Sequence, residues 1–297
     1  MSDQTDRGVG CLLGLAVGDA VGTTLEFKAR DTYPLLEDMI GGGPFGLRPG
    51  EWTDDTSMAL CLADSLLARG RLDQKDLMDR FVRWYRDGEN SVTGQLFDIG
   101  NTTRAALDRY ERSGDPEAGS RDPRNAGNGS IMRLAPVALR FHTDHDTMIA
   151  AARAQSATTH GAPAALEACA LLSEILADAV TSGDKNVALR TRRADEDHID
   201  AIAQGSWRNK ERDDIKSGGY VVDTLEAALW AVDRSTDFRT AVLLAANLGG
   251  DADTVAAVAG QIAGALWGKS GIPTDWLNRL ARHEAIEDRA RRLLLAL

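Results

Sequence analysis

NLGGDADTVAAVAGQIAGAL, residues 247–266, is the stretch on which the fold turns. Past the glycines and acidic residues, Val255, Val258, Ala259, Ile262 and Leu266 recur at helical spacing. Small residues crowd Ala256–Gly264, which lets neighbouring helices approach closely, and the segment therefore reads as a central, buried helix. Other segments are built alike. ALEACALLSEILADAV (165–180), TLEAALWAVDRS (224–235) and HEAIEDRARRLLLAL (283–297) are rich in strong helix formers, and Met58, Cys61, Leu62 and Leu66 share one helical face. No stretch alternates as a strand would. The expected fold is all-α: a single domain over residues 1–297, an orthogonal helical bundle wrapped around a buried central helix.

The composition narrows the function. A chain of 297 residues with 43% hydrophobic content can bury a large core. Its formal charge of −11 argues against a nucleic-acid binder, which needs a basic face for counterion release. Cys11, Cys61 and Cys169 lie in apolar helical contexts without metal-ligand spacing and read as reduced core thiols, as in the cytosol. No run of about 18 uninterrupted apolar residues occurs, and the opening MSDQTDRGVG lacks the order of a signal peptide. A cytoplasmic monomer is expected.

The connections carry the chemistry. A glycine-rich loop at 41–53 leads into WTDDTSMAL (52–60), and a second irregular path runs through RSGDPEAGSRDPRNAGNGS (112–130). The charged segment 181–219 reads as a solvated face or insertion, with no chemistry assigned. Asp54 and Asp55 stand between Thr53 and Thr56 at one helix start; Asp251 and Asp253 precede Thr254 at another. Either doublet alone is most simply a helix cap. Together they offer more oxygens than two caps can use. Gathering four carboxylates without a cation would cost roughly 4 kcal/mol for each like-charge pair about 4 Å apart at an effective dielectric near 20. Oxygen ligands select hard ions such as Mg²⁺ or Mn²⁺, and four carboxylates can hold two. An EF-hand is excluded, because a loop beginning at Asp251 would place Val255 and Ile262 at ligand positions. GGGPFG (41–46) cannot open a dinucleotide-binding helix through Pro44, and GALWGKS (264–270) closes a helix instead of following a strand. The His145–Asp146 pair leaves a metal phosphohydrolase of the HD type as a runner-up, though no histidine precedes His142.

GLAVGDAVGTTLEF (14–27), WTDDTSMAL (52–60), GNGSIMRLAP (127–136), SATTHG (156–161) and GGDADTVAAVAGQIAGAL (249–266) follow one another in the order found in ADP-ribosylglycohydrolases. The resemblance spans nearly the whole chain. The length and FDIGNTT (97–103) resemble the bacterial branch that acts on dinitrogenase reductase. It implies an all-α fold and a binuclear Mn²⁺ or Mg²⁺ site at Thr53, Asp54, Asp55, Asp251, Asp253 and Thr254. The implied reaction is removal of ADP-ribose from an arginine of dinitrogenase reductase. It also implies control by a PII signalling protein and peripheral recruitment to a membrane through an ammonium channel.

Cleaving such an N-glycosidic bond requires a held sugar, a protonated leaving group and a water. With the resemblance, Asp98 reads as the acid/base near the scissile bond and Glu26 as a second base or substrate-positioning group. Without it, both would be a surface carboxylate or a turn cap. The diphosphate needs donors, and glycine-rich helix starts supply them: Gly100, Asn101 and Thr102 in one loop, Asn128, Gly129 and Ser130 in another. His160 reads as a wall of the ligand pocket or a structural histidine, and Tyr220 as a platform for the adenine or a core residue. Two alternatives stay open: a non-catalytic relative that keeps the fold, and a two-metal phosphohydrolase.

Overall fold

The computed structural model describes residues 3–295. Its helices are α1 (Asp3–Gly22), α2 (Asp54–Arg69), α3 (Gln74–Asp87), α4 (Asn101–Ser113), α5 (Ala135–Phe141), α6 (His145–Ala157) and α7 (Pro163–Ser182). They continue with α8 (Lys185–Ala188), α9 (Asp197–Ala203), α10 (Val221–Asp233), α11 (Phe238–Ala246), α12 (Ala252–Trp267), α13 (Thr274–Arg279) and α14 (His283–Leu295). Among the described residues there are only isolated bridges and no strand. The fold is all-α, as the helical periodicity requires.

Helix α12 is the expected central helix, buried from Ala252 to Leu266. Its partner is α1, and the two run antiparallel in backbone contact. Glycine recurs at every fourth residue of α1, at Gly10, Gly14, Gly18 and Gly22. A Cβ at these positions would lie 2.4, 2.1, 2.1 and 2.3 Å from the carbonyl oxygens of Gly264, Gly260, Ala256 and Ala252 respectively. Gly260 and Gly264 return the constraint, since a Cβ on either would come within 2.0 Å of the carbonyl of Gly14 or Gly10. Each glycine inside a helix costs about 1 kcal/mol relative to alanine. The close approach of two i±4 ridges is what that cost sustains. It also sets the register: Gly22 lies against Ala252 and Asp253, so the end of α1 meets the start of α12.

Helices α7, α10 and α11 pack on α12, while α14 and α7 pack on α1. By length and composition alone α1 could cross a membrane, but it is buried from Gly8 to Gly22 as the core partner of α12. Cys11, Cys61 and Cys169 are free and buried, as expected of core thiols.

The segment 181–219 is largely solvated, as expected, but its end reaches the site. Helices α8 and α9 pack on α7, α9 also packs on α10, and the chain then returns to the acidic centre. There Ser217 accepts a hydrogen bond from the Asp251 amide (2.8 Å) and Gly219 lines the cleft described below. Arg30 ties this return to the loop after α1, donating to the carbonyls of Arg212 (2.6 Å), Ile215 (2.5 Å) and Leu248 (3.0 Å).

Candidate functional site

Five α-helices among the described residues cap themselves. Asp73, Asp144, Asp184, Glu196 and Asp237 each accept a backbone N–H of the helix they begin. The helices that carry the acidic doublets do otherwise: neither Thr53 before α2 nor Asp251 before α12 makes a side-chain cap. Both caps come from elsewhere in the chain. Asp19, inside α1, accepts from the Thr53 amide (2.8 Å) and hydroxyl (2.8 Å) through Oδ1, and from the Thr56 amide (3.0 Å) and hydroxyl (2.6 Å) through Oδ2. Glu26, just past α1, accepts from the Ala252 amide (2.8 Å) through Oε2. Donated caps leave Asp54, Asp55 and Asp251 free of the duty that the sequence alone assigned to them, while Asp253 Oδ1 still accepts from the Thr254 amide (2.7 Å).

Asp19 was missed in the sequence. Its signal was a single charge within the apolar GLAVGDAVG, since an ionisable group in a buried helix must find partners. Although its oxygens lie near those of Asp55 and Asp253, each already accepts two hydrogen bonds, and we read it as a positioning group, not a ligand. Replacing Asp19 with Asn puts an amide N–H donor where two donors already point. In the Mn²⁺-loaded protein the expected result is a melting temperature lower by about 5–10 °C, from a few kcal/mol of lost cap and buried hydrogen bonds. Scanning calorimetry and a Mn²⁺ titration check it; unchanged melting and affinity would show that α2 starts without this cap.

The two doublets, separate in sequence, converge. Thr53 Oγ1 lies 3.3 Å from both Asp55 Oδ2 and Asp253 Oδ2, and Thr254 Oγ1 is 3.5 Å from Asp55 Oδ2. Thr53 has one proton, which goes to Asp19, so these oxygens face one another without enough donors. Two groups of carboxylate oxygens, each within 4.8 Å, share Asp253: Asp19, Asp55 and Asp253 in one, Glu26, Asp251 and Asp253 in the other. Burial, and then the neighbouring carboxylates, push Asp54, Asp55 and Asp253 well above the usual carboxylate range. Asp55 Oδ1 is buried with no hydrogen-bond partner. An orphaned oxygen amid crowded carboxylates fits a hard divalent cation.

These groups form the floor of a cleft of about 320 Å³ whose walls include Phe27, Asp98, Gly100, Asn101, Thr102, Gly129 and His160. Asp98 is pushed up to about 7, by burial and then by the charges of Asp19 and Asp251. Burial is also the main cause for Glu26, raised to about 8. Helix α4 begins at the cleft without a side-chain cap, leaving the first N–H groups near Gly100, Asn101 and Thr102 as anion donors. His160 is buried and held at about 3, so its imidazole is neutral, with Nδ1 2.8 Å from Thr159 Oγ1. Its ring packs on the GNG turn, where a Cβ on Gly129 would come within 2.7 Å of Cε1.

Other expected positions differ. Ser130 is fully buried behind the cleft, its hydroxyl accepting from Ser156 (2.8 Å), because its loop turns inward after Gly129. Asn128 reaches the cleft with its donors already spent: the amide on Gly219 O (3.1 Å), and the side chain on Thr224 Oγ1 and Asp251 Oδ2 (2.9 Å each). It orients Asp251 and has nothing left for a diphosphate. Tyr220 lines a neighbouring cavity of about 420 Å³ with Lys210 and Glu226, not the cleft itself. The His145–Asp146 pair is on the surface, with His145 Nε2 2.8 Å from Glu174.

Comparison with known proteins agrees with this fold. The family model described as ADP-ribosylglycohydrolase matches residues 1–297. The chain is 51% identical to a protein named ADP-ribosylarginine hydrolase Tri1 from Pseudomonas putida (strain GB-1), over 97% of this chain and 78% of that one. It is 35% identical to ADP-ribosyl-[dinitrogen reductase] glycohydrolase of Rhodospirillum rubrum, over 93% of this chain and 90% of that one. A solved structure titled ADP-ribosylglycohydrolase-related protein complex superposes with a TM-score of 0.89 at 44% identity, covering 100% of this chain and 99% of that one. The chain therefore belongs to the ADP-ribosylglycohydrolase family.

Proposed function

We propose that the protein hydrolyses the N-glycosidic bond between ADP-ribose and an arginine side chain of a modified protein. The observation that carries this reading is the convergence of both acidic doublets, with their caps donated by Asp19 and Glu26, on the cleft that also holds Asp98. The name of the Pseudomonas relative supports arginine as the aglycone. Dinitrogenase reductase as the particular substrate rests on a more distant relative. The PII protein and the ammonium channel implied by the subfamily resemblance have no support in these relatives' names.

Thr53, Asp54, Asp55, Asp251, Asp253 and Thr254 would hold two Mn²⁺ or Mg²⁺ ions. When bound, such ions supply compensating charge and a hard Lewis-acidic site for ribose hydroxyls and water. The chain's own groups do the rest. The start of α4 receives the diphosphate on free N–H groups. The glycine turn at Gly127–Gly129, backed by neutral His160, lets the ligand lie close to the backbone. Asp98, poised near neutrality, can protonate the departing guanidine nitrogen and later take a proton from water. Glu26 has one oxygen committed to α12, which favours its positioning role over that of a second base.

Incubation with ADP-ribosyl-arginine, and separately with ADP-ribose, in Mn²⁺ buffer tests the reading. Release of free arginine is expected. Phosphate products from ADP-ribose would instead point to a phosphohydrolase, and no product from either would point to a binding protein. A parallel incubation with ADP-ribosylated dinitrogenase reductase decides that substrate.

A further inference from the structure

Three phenylalanines form a chain of ring contacts that starts at Phe27 on the cleft wall. Phe27 and Phe45 pack edge to face with ring centroids 6.4 Å apart at 75°, and Phe45 and Phe97 do so at 5.4 Å and 62°. The rings come from three separate segments, and each segment carries a piece of the site. Phe27 follows Glu26, Phe97 precedes Asp98, and Phe45 lies in the glycine-rich loop that leads to Thr53, Asp54 and Asp55. Phe27 is 71% exposed and lines the cleft, while Phe45 and Phe97 are half-buried. Its backbone sits in the left-handed region at φ 62°, held there by a hydrogen bond from its amide to Gly250 O (2.8 Å). A bulky residue in that region is an outlier, and core packing does not account for a ring turned this far into solvent.

We infer that the Phe27–Phe45–Phe97 edge is the surface on which the arginine-bearing segment of the modified protein docks. The inference rests on the proposed arginine hydrolase reading and adds where the aglycone goes. The scissile bond must lie at Asp98, so the arginine leaves the cleft past the residues flanking Asp98 and Glu26, which are Phe97 and Phe27. Aromatic edges and faces suit this passenger: the arginine methylenes pack on the rings, and its guanidinium is attracted to their faces. The aromatic edge also offers a contact for apolar neighbours of that arginine in the polypeptide.

The test compares KM for an ADP-ribosylated arginine peptide with the Kd for ADP-ribose in the Mn²⁺-loaded protein. Phe27→Gly suits the left-handed backbone, since glycine adopts it freely. Phe27→Gly and Phe45→Ala are each expected to raise the peptide KM five- to twentyfold while ADP-ribose binding changes less than twofold, and Phe27→Tyr is expected to restore KM. Unchanged KM in both truncations overturns the inference, as does an equal loss of ADP-ribose affinity, which would place the rings on the nucleotide side or in folding alone. A wild-type protein that releases no arginine removes the hydrolase reading and this inference with it. A wild-type protein active on the peptide, with insensitive variants, removes the inference alone.

Discussion

An Asp98→Asn protein is expected to lose turnover of ADP-ribosyl-arginine by roughly a thousandfold, the scale of a positioned acid/base. The change preserves shape and removes only the ability to carry a proton. Asp98 belongs to neither group of clustered carboxylate oxygens, although its charge reaches Asp54 and Asp55, and an isosteric amide leaves the groups proposed to hold the ions in place, so Mn²⁺ and ADP-ribose affinities are expected to stay within a few-fold of wild type. Burial, with Asp19 and Asp251 nearby, brings its carboxyl to about 7, where it is near half-protonated in neutral solution and able both to give and to take a proton. Arginine release measured in single turnover, alongside calorimetric binding of ADP-ribose, separates the two effects. Activity within tenfold of wild type would remove Asp98 from the chemistry.

Removing the cations should produce the second large effect, in stability. Asp54, Asp55 and Asp253 are held well above the ordinary carboxylate range in the folded chain, with Glu26 at about 8 and Asp98 at about 7. The folded protein without metal therefore binds more protons than the unfolded chain from about pH 4 upward. Stability is full below the unfolded values and is lost as pH rises toward 8. Divalent cations reverse the loss: a ligand at a hundred times its Kd contributes about 2.7 kcal/mol, or roughly 5–10 °C in a chain of this size. Chelator-treated protein is expected to melt lower at pH 8 than at pH 5, and Mn²⁺ to raise melting strongly at pH 8 and little at pH 5. Asp253 belongs to both acidic groups, so Asp253→Asn should remove most of that Mn²⁺ response. A wild-type protein whose melting ignores Mn²⁺ at pH 8 would contradict the metal centre.

Much of the site could be read from local chemistry. Thr53, Asp54, Asp55, Asp251, Asp253 and Thr254 announce themselves because two helix starts carry more oxygens than caps require, and Gly100, Asn101 and Thr102 because a glycine precedes a helix. Asp19 stayed hidden although a charge within GLAVGDAVG is conspicuous, because its partners, Thr53 and Thr56, lie across the fold. Ser130 and Asn128 misled for the opposite reason. Their residue types suit anion binding, but the turn directs one hydroxyl into the core and commits the other residue's donors to Thr224, Gly219 and Asp251.

By itself the sequence determined the helical class, the central small-residue helix and the composition of the acidic centre. These follow from periodicity, residue size and ligand chemistry, which are properties of single segments. The tertiary structure alone decided that α1 lies backbone to backbone on α12, that Asp19 and Glu26 lend their caps to the doublets, and that Tyr220 faces a different cavity. The first two depend on the register in which glycine rows of two distant helices interlock, and the third on the backbone pairing of the turn before α10 with Ala126 and Asn128; both are set by packing between segments, not by any segment alone.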